Sequence, residues 1–202
     1  MQISEITAFL EQAYDVLNQH FFNGELSRVI ITVQSSPKAY GTYTPWESWK
    51  DSGSQQGYKE INIGAESIDR PIENVIATLV HEMTHFYCDL QGIKDCSRGG
   101  TYHNKSFKKQ AEEHGLIIEY DSRIGWSLTQ PSESLIAFIE VQGWQGVSLA
   151  RQGVLGPLGG KGGTKTSTRK YKCPECGISV RATKPVNIGC LDCGEQMELE
   201  EK

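Results

Sequence analysis

Ile3, Ile6, Leu10, Ala13, Tyr14, Leu17 and Phe21 recur at intervals of three and four residues. That is the spacing of one face of an α-helix, so residues 3–21 are predicted to form an amphipathic helix. Asn23-Gly24 follows as a stop signal. Val29 to Val33 is a β-branched run that reads as a strand, Tyr40–Tyr43 reads as a second, and Glu60–Ile63 alternates polar and apolar as a third. Between them Thr44–Gly57, rich in Ser, Gly, Trp and Pro, reads as a long hairpin loop. Pro71 opens a second helix, whose apolar stripe runs from Ile72 through Val75, Ile76, Leu79, Val80, Met83 and Phe86 to Leu90 before Gly92 ends it. Residues 93–102 read as loop. Asn104 is placed to cap a third helix that runs to about Gly115, and another helix is expected after Pro131. The pattern otherwise leaves residues 117–160 unplaced. Gly156–Gly163 contains five glycines and a proline, the composition of a flexible linker. The organisation expected is therefore a folded domain over residues 1–155, a linker over 156–168 and a small second domain over 169–202.

The second helix carries the first chemistry. His81-Glu82-Met83-Thr84-His85 puts two imidazoles at positions i and i+4, on one face, where both can reach a single zinc ion. Glu82, beside the first ligand, is placed to take a proton from a water on that metal. A catalytic zinc needs a third protein ligand, which the motif does not supply. Glu112 and Glu113 on the following helix are candidates. His103 is favoured, because the loop Gly99-Gly100-Thr101-Tyr102 leads from glycines straight into a helix start. His20 and His114 read as surface or capping residues. Tyr102, which adjoins a candidate ligand, is a candidate oxyanion donor, but core packing is its expected role. The edge near Glu60–Ile63 offers a place for an extended peptide to add as a strand.

A second metal signal lies in the small domain. Cys173-Pro174-Glu175-Cys176-Gly177 and Cys190-Leu191-Asp192-Cys193-Gly194 are matching knuckles with thirteen residues between Cys176 and Cys190. Four thiolates so arranged make the closed tetrahedron of a structural zinc. Cys88 falls on the helical stripe as a core thiol, and Cys96 lies in a loop, exposed. Composition changes the picture at one point. The chain has 202 residues and a net charge of -5, but residues 1–160 hold 12 basic against 19 acidic side chains, while residues 161–202 hold 8 against 6. Contact with a polyanion is therefore expected in the tail, through Arg169, Lys170, Lys172, Arg181 and Lys184, with Tyr171 available for stacking. The first residues show no basic segment before an apolar run, and no apolar stretch is long enough to span a bilayer. The expectation is a cytoplasmic protein without membrane contact, nucleoid-associated if bacterial.

Four stretches together resemble the SprT-like metallopeptidases, the group that includes Spartan. They are Asn18-Gln19-His20-Phe21-Phe22-Asn23-Gly24-Glu25-Leu26, the strand Glu60–Ile63 with the helix carrying His81–His85, Tyr102-His103-Asn104-Lys105-Ser106-Phe107, and the terminal cysteine ribbon. The resemblance implies an α+β, zincin-like fold with a small antiparallel or mixed sheet, an HExxH helix and a zinc ribbon. It implies His81, His85 and His103 as ligands of a catalytic zinc, Glu82 as the acid/base, and Cys173, Cys176, Cys190 and Cys193 as ligands of a structural zinc. It also implies an endopeptidase acting on DNA-associated proteins, including DNA–protein crosslinks, with DNA, single-stranded among its forms, as a partner. The competing expectation is a non-catalytic, zinc-containing nucleic-acid-binding or regulatory module.

Overall fold

The computed structural model describes residues 2–36, 39–152 and 169–200. The chain divides into two compact units, Met1–Gly153 and Val154–Lys202. The glycine-rich stretch 156–168 lies outside the described residues. The fold is α+β, with mixed sheets, as the sequence predicts.

In the first unit, helix α1 (Ile3–Phe21) buries Ile6, Leu10, Ala13, Tyr14 and Leu17, the face its spacing specifies. The chain after it is turned back by Asn18, whose amide donates to the Leu26 carbonyl at 2.9 Å and accepts from the Leu26 amide at 3.1 Å. Strand β1 (Ile30–Gln34) then runs parallel to β3 (Gly57–Gly64), while β2 (Gly41–Lys50) lies antiparallel on the other side of β3. Two expectations are corrected here. Glu60–Ile63 is not an edge: β3 is the central strand, and Ile61 and Ile63 are fully buried. The edge strands are β1 and β2. Nor is Thr44–Gly57 a long loop, because β2 continues to Lys50 and Trp49 pairs with Tyr58. A register irregularity between Thr44 and Trp49 accommodates Pro45, which has no N–H to donate.

Helix α2 (Ile72–Leu90) lies against this sheet and fills the core with Val75, Ile76, Leu79, Val80, Met83 and Phe86. On its other side a second sheet has the order β4-β5-β7-β6, made from Cys96–Ser97, Tyr102–His103, Gly125–Pro131 and Leu116–Asp121. The segment expected as loop, residues 93–102, thus contributes two short strands, and part of the unplaced region forms the β6–β7 hairpin. Helix α3 (Lys105–Glu113) begins at Asn104, whose side chain accepts from the Ser106 and Phe107 amides. Helix α4 (Glu133–Gln142) follows the hairpin and is capped by Ser132. His114 ends α3 but is not a surface residue: it is buried at 7% exposure and stacks on Phe22 with centroids 4.2 Å apart. His20 is exposed and stacks on Phe138.

The second unit is a three-stranded antiparallel sheet, β8 (Arg169–Lys172) flanked by β9 (Ser179–Ala182) and β10 (Glu198–Leu199). Its small core is Tyr171, Cys173, Cys190 and Met197. Tyr171 is therefore not available for stacking; it is 7% exposed, and its hydroxyl accepts from the Val186 amide. No helix among the described residues is long and apolar enough to cross a membrane.

Candidate metal centre

His81 and His85 project from one side of α2, and β5 brings His103 to meet them. The three Nε2 atoms lie 3.2, 3.0 and 3.3 Å apart. Three nitrogens at zinc–nitrogen bonds of about 2.0–2.1 Å in tetrahedral array would be separated by about 3.3 Å, so the triad fits the ion. Of the sequence candidates, His81, His85 and His103 are brought together, whereas Glu112 and Glu113 are exposed on α3, forming ion pairs with Lys108 and Lys109.

The other ring nitrogens determine the tautomers. His85 Nδ1 lies 2.5 Å from Asp95 Oδ2 and His103 Nδ1 lies 3.4 Å from the Ile124 carbonyl, both of which can only accept from a neutral ring. His81 Nδ1 lies 2.7 Å from Thr129 Oγ1, and that hydroxyl donates its own proton to the Ser127 carbonyl. Each imidazole therefore carries its proton on Nδ1 and leaves the Nε2 lone pair free for a metal. Burial, aided by the neighbouring imidazoles, pushes His81 well below the ordinary histidine range and His103 down to about 4. His81 and His103 therefore stay neutral, as ligands must. Phe107, fully buried, packs against all three, with centroids 4.5–4.6 Å away.

Strand positions explain how His103 arrives. Gly125 has φ +79°, and a Cβ there would stand 2.1 Å from the His103 carbonyl oxygen. Only glycine lets β7 approach β5 closely enough for the Ile124 carbonyl to accept from the His103 amide at 3.0 Å.

Glu82 lies against β2 and is 6% exposed. Desolvation raises its carboxyl to about 7, against the opposing pull of His85 and a hydrogen bond from the Tyr43 amide. Gly41 makes room for it. A Cβ at Gly41 would lie 2.8 Å from Thr78 Cγ2, 2.9 Å from Glu82 Oε1 and 3.0 Å from Glu82 Cγ. Tyr102, by contrast, is not core: it is half-buried, with its hydroxyl 3.1 Å from that of Tyr120. Cys88 is fully buried, and Cys96 is half-buried beside Asp95 rather than exposed.

A model of the SprT-like family matches residues 10–121, more than half of the sequence. The chain belongs to the SprT-like family. No curated protein and no solved structure matches it. The matched span of this SprT-like chain contains His81, Glu82, His85, His103 and Asp95. Thr129 and the second unit lie beyond it. In that unit the Sγ atoms of Cys173, Cys176, Cys190 and Cys193 fall within 4.8 Å of one another, with Cys176 and Cys190 at 3.7 Å. Thiolates at zinc–sulfur bonds of about 2.3 Å would be about 3.8 Å apart, so this cluster also fits zinc. Gly177 and Gly194 share φ +73°, and their amides donate back to the Cys173 and Cys190 carbonyls.

Sequence reasoning missed Asp95, Thr129, Gly41 and the Tyr43 amide. Asp95 had a signal, as the carboxylate between the HExxH helix and His103. Thr129 had none, since only the β6–β7 pairing brings it to α2.

Proposed function

We propose that this SprT-like chain is a zinc-dependent endopeptidase acting on DNA-associated proteins, including proteins crosslinked to DNA. The observation that supports hydrolysis is the convergence of three imidazole Nε2 atoms near a buried glutamate of raised proton affinity. A zinc ion held by the triad supplies a Lewis acid that acidifies water and stabilises developing negative charge on the scissile carbonyl. Glu82 accepts a proton on its carboxylate as the carbonyl is attacked, then delivers it to the leaving amine. Its pKa near neutrality suits both directions of that transfer, and the Tyr43 amide orients it. Asp95, Thr129 and the Ile124 carbonyl hold the imidazoles in the required tautomer. The free edge of β2, which passes Glu82 at Gly41, offers backbone groups to an extended peptide.

Support for the DNA partner comes from the second unit. Lys170 stands directly opposite Arg181, and Lys172 shares that face by strand alternation. Glu200 pairs with Lys170 and Glu198 lies opposite Lys172. With Tyr171 buried, a phosphate would bind by charge in competition with these carboxylates, so binding should weaken steeply with salt.

The test is cleavage of a DNA-binding protein by wild type and Glu82→Gln, with and without single-stranded DNA. Cleavage that requires Glu82 and rises with DNA is expected. Absence of cleavage by zinc-loaded wild type would overturn the proposal in favour of a non-catalytic binding module.

A further inference from the structure

We infer that Arg70 and Tyr40 form a subsite that accepts a side-chain carboxylate of the peptide substrate, one residue along the chain from the strand that abuts Glu82. The inference rests on the peptidase reading above and adds a specificity to it.

Arg70 lies in the connection between β3 and α2, with its guanidinium half-buried. Nε donates to the Ser67 carbonyl at 2.7 Å, and Nη2 donates to Thr78 Oγ1 at 2.9 Å. The Tyr40 ring covers one face of the plane, with its centroid 3.9 Å from Cζ. The cation is thus fixed in position and orientation, yet among the described residues it forms no ion pair. Asp69, its neighbour in sequence, is exposed and acts on it only at longer range. Withdrawing a charge from water without a counter-charge is costly, and here the rigid plane still has N–H groups without acceptors among the described residues. A planar carboxylate matches such a fork.

Three contacts place this cation beside the reaction. Tyr40, which carries it, is followed by Gly41, the residue that touches Glu82. Thr78 accepts from Arg70 through its hydroxyl and meets the Gly41 position with its methyl group. Thr78 is also one helical turn before Glu82 on α2, a rise of about 6 Å. A substrate lying along the β2 edge with its scissile bond near Glu82 would bring a side chain from one of the adjoining residues to Arg70. Tyr40, at 60% exposure, offers that side chain an apolar wall as well as the cation it supports.

The test uses the zinc-loaded full chain and internally quenched peptides with amidated C-termini. Members of each pair differ only in Glu or Gln at one position flanking the cleaved bond. Wild type is expected to cleave the Glu peptide about tenfold better in kcat/KM at one position, the worth of a charge-assisted pair. Arg70→Met should abolish that preference, bringing the Glu and Gln peptides to the same kcat/KM, and Arg70→Lys should retain part of it. No preference at any position, or equal loss on both peptides in Arg70→Met, would overturn the subsite and leave Arg70 a brace for Ser67 and Thr78. Binding of the same peptides to Glu82→Gln, read by fluorescence anisotropy, separates the two proposals. Arg70-dependent discrimination without cleavage by wild type upholds the subsite and refutes the peptidase. Cleavage without discrimination refutes the subsite alone, and neither binding nor cleavage refutes both.

Discussion

Replacing Gly41 by alanine adds one methyl group at the point where β2 meets Glu82, the proposed general base. That methyl would stand 2.9 Å from Glu82 Oε1 and 2.8 Å from Thr78 Cγ2, against ordinary contacts of 3.4 Å or more. Something must therefore move by about 0.5 Å. Thr78 is held by its hydroxyl, which donates to the Asn74 carbonyl and accepts from Arg70, both at 2.9 Å. The strand is held by its pairing of Gly41 with Ile63 and Tyr43 with Ile61 on the buried central strand. The Glu82 side chain is the part with freedom to turn, and turning strains its hydrogen bond from the Tyr43 amide. Overpacking of this size costs about 1–3 kcal/mol of stability. Misplacement of a catalytic group by a fraction of an ångström to an ångström costs up to about a hundredfold in rate, so kcat should fall roughly 10–100-fold. Zinc should remain, because the triad is braced away from β2 by Thr129 on β7, Asp95 just before β4 and Phe107 on α3. The assay is kcat on a quenched peptide, with zinc per chain measured on the same sample by mass spectrometry. Wild-type kcat with zinc intact would refute the clamp on Glu82. Parallel loss of zinc would show that β2 supports the ligands rather than the base.

Glu82→Gln should retain both zinc ions and lose at least about a hundredfold in kcat, measured by zinc content and peptide cleavage together. Asp95→Ala should weaken zinc binding at the triad by about 10–100-fold in competition with a chelator, with Asp95→Asn intermediate because an amide oxygen still accepts from His85. Burial holds the His114 imidazole below its ordinary value near 6.5, so the unfolded chain binds a proton there more readily than the folded one. Stability should accordingly fall as pH drops below about 6.5, and the difference between wild type and His114→Gln in denaturant titrations should isolate that slope. Cys190→Ser should reduce bound zinc to one per chain and unfold the ribbon, whose core consists of Tyr171, Met197 and the cysteines themselves, as judged by proteolysis.

The features legible in the sequence are those whose cause is local. The period of Ile6, Leu10, Ala13, Tyr14 and Leu17 is set by the helix that contains them, and the spacing of His81 and His85 by one helical turn. The paired cysteine knuckles are equally local. What failed depended on partners distant in the chain. Glu60–Ile63 alternates as an edge strand would, but β1 comes to its second side from thirty residues earlier. His114 ends a helix, a position that usually faces water, yet Phe22 and Tyr87 close over it. Thr44–Gly57 has the composition of a loop, and cross-strand pairing of Trp49 with Tyr58 overrides it.

The same distinction explains the division of labour within the site. The residues that would touch the metal or the reacting atoms announce themselves by type and spacing, because imidazole and carboxylate chemistry has few substitutes. The residues that hold them do not, because any acceptor suffices for an Nδ1 proton: here a carboxylate, a hydroxyl and a backbone carbonyl serve three histidines in turn. Gly41 and Gly125 are less visible still, since their contribution is the absence of a side chain, which only the neighbouring strand or helix can reveal. Two glycines thus set where the base and the third ligand stand. Adding one methyl group at Gly41 or at Gly125 should therefore distinguish them: the first moves the base and spares the metal, while the second, 2.1 Å from the His103 carbonyl, should displace the ligand and lower zinc affinity itself.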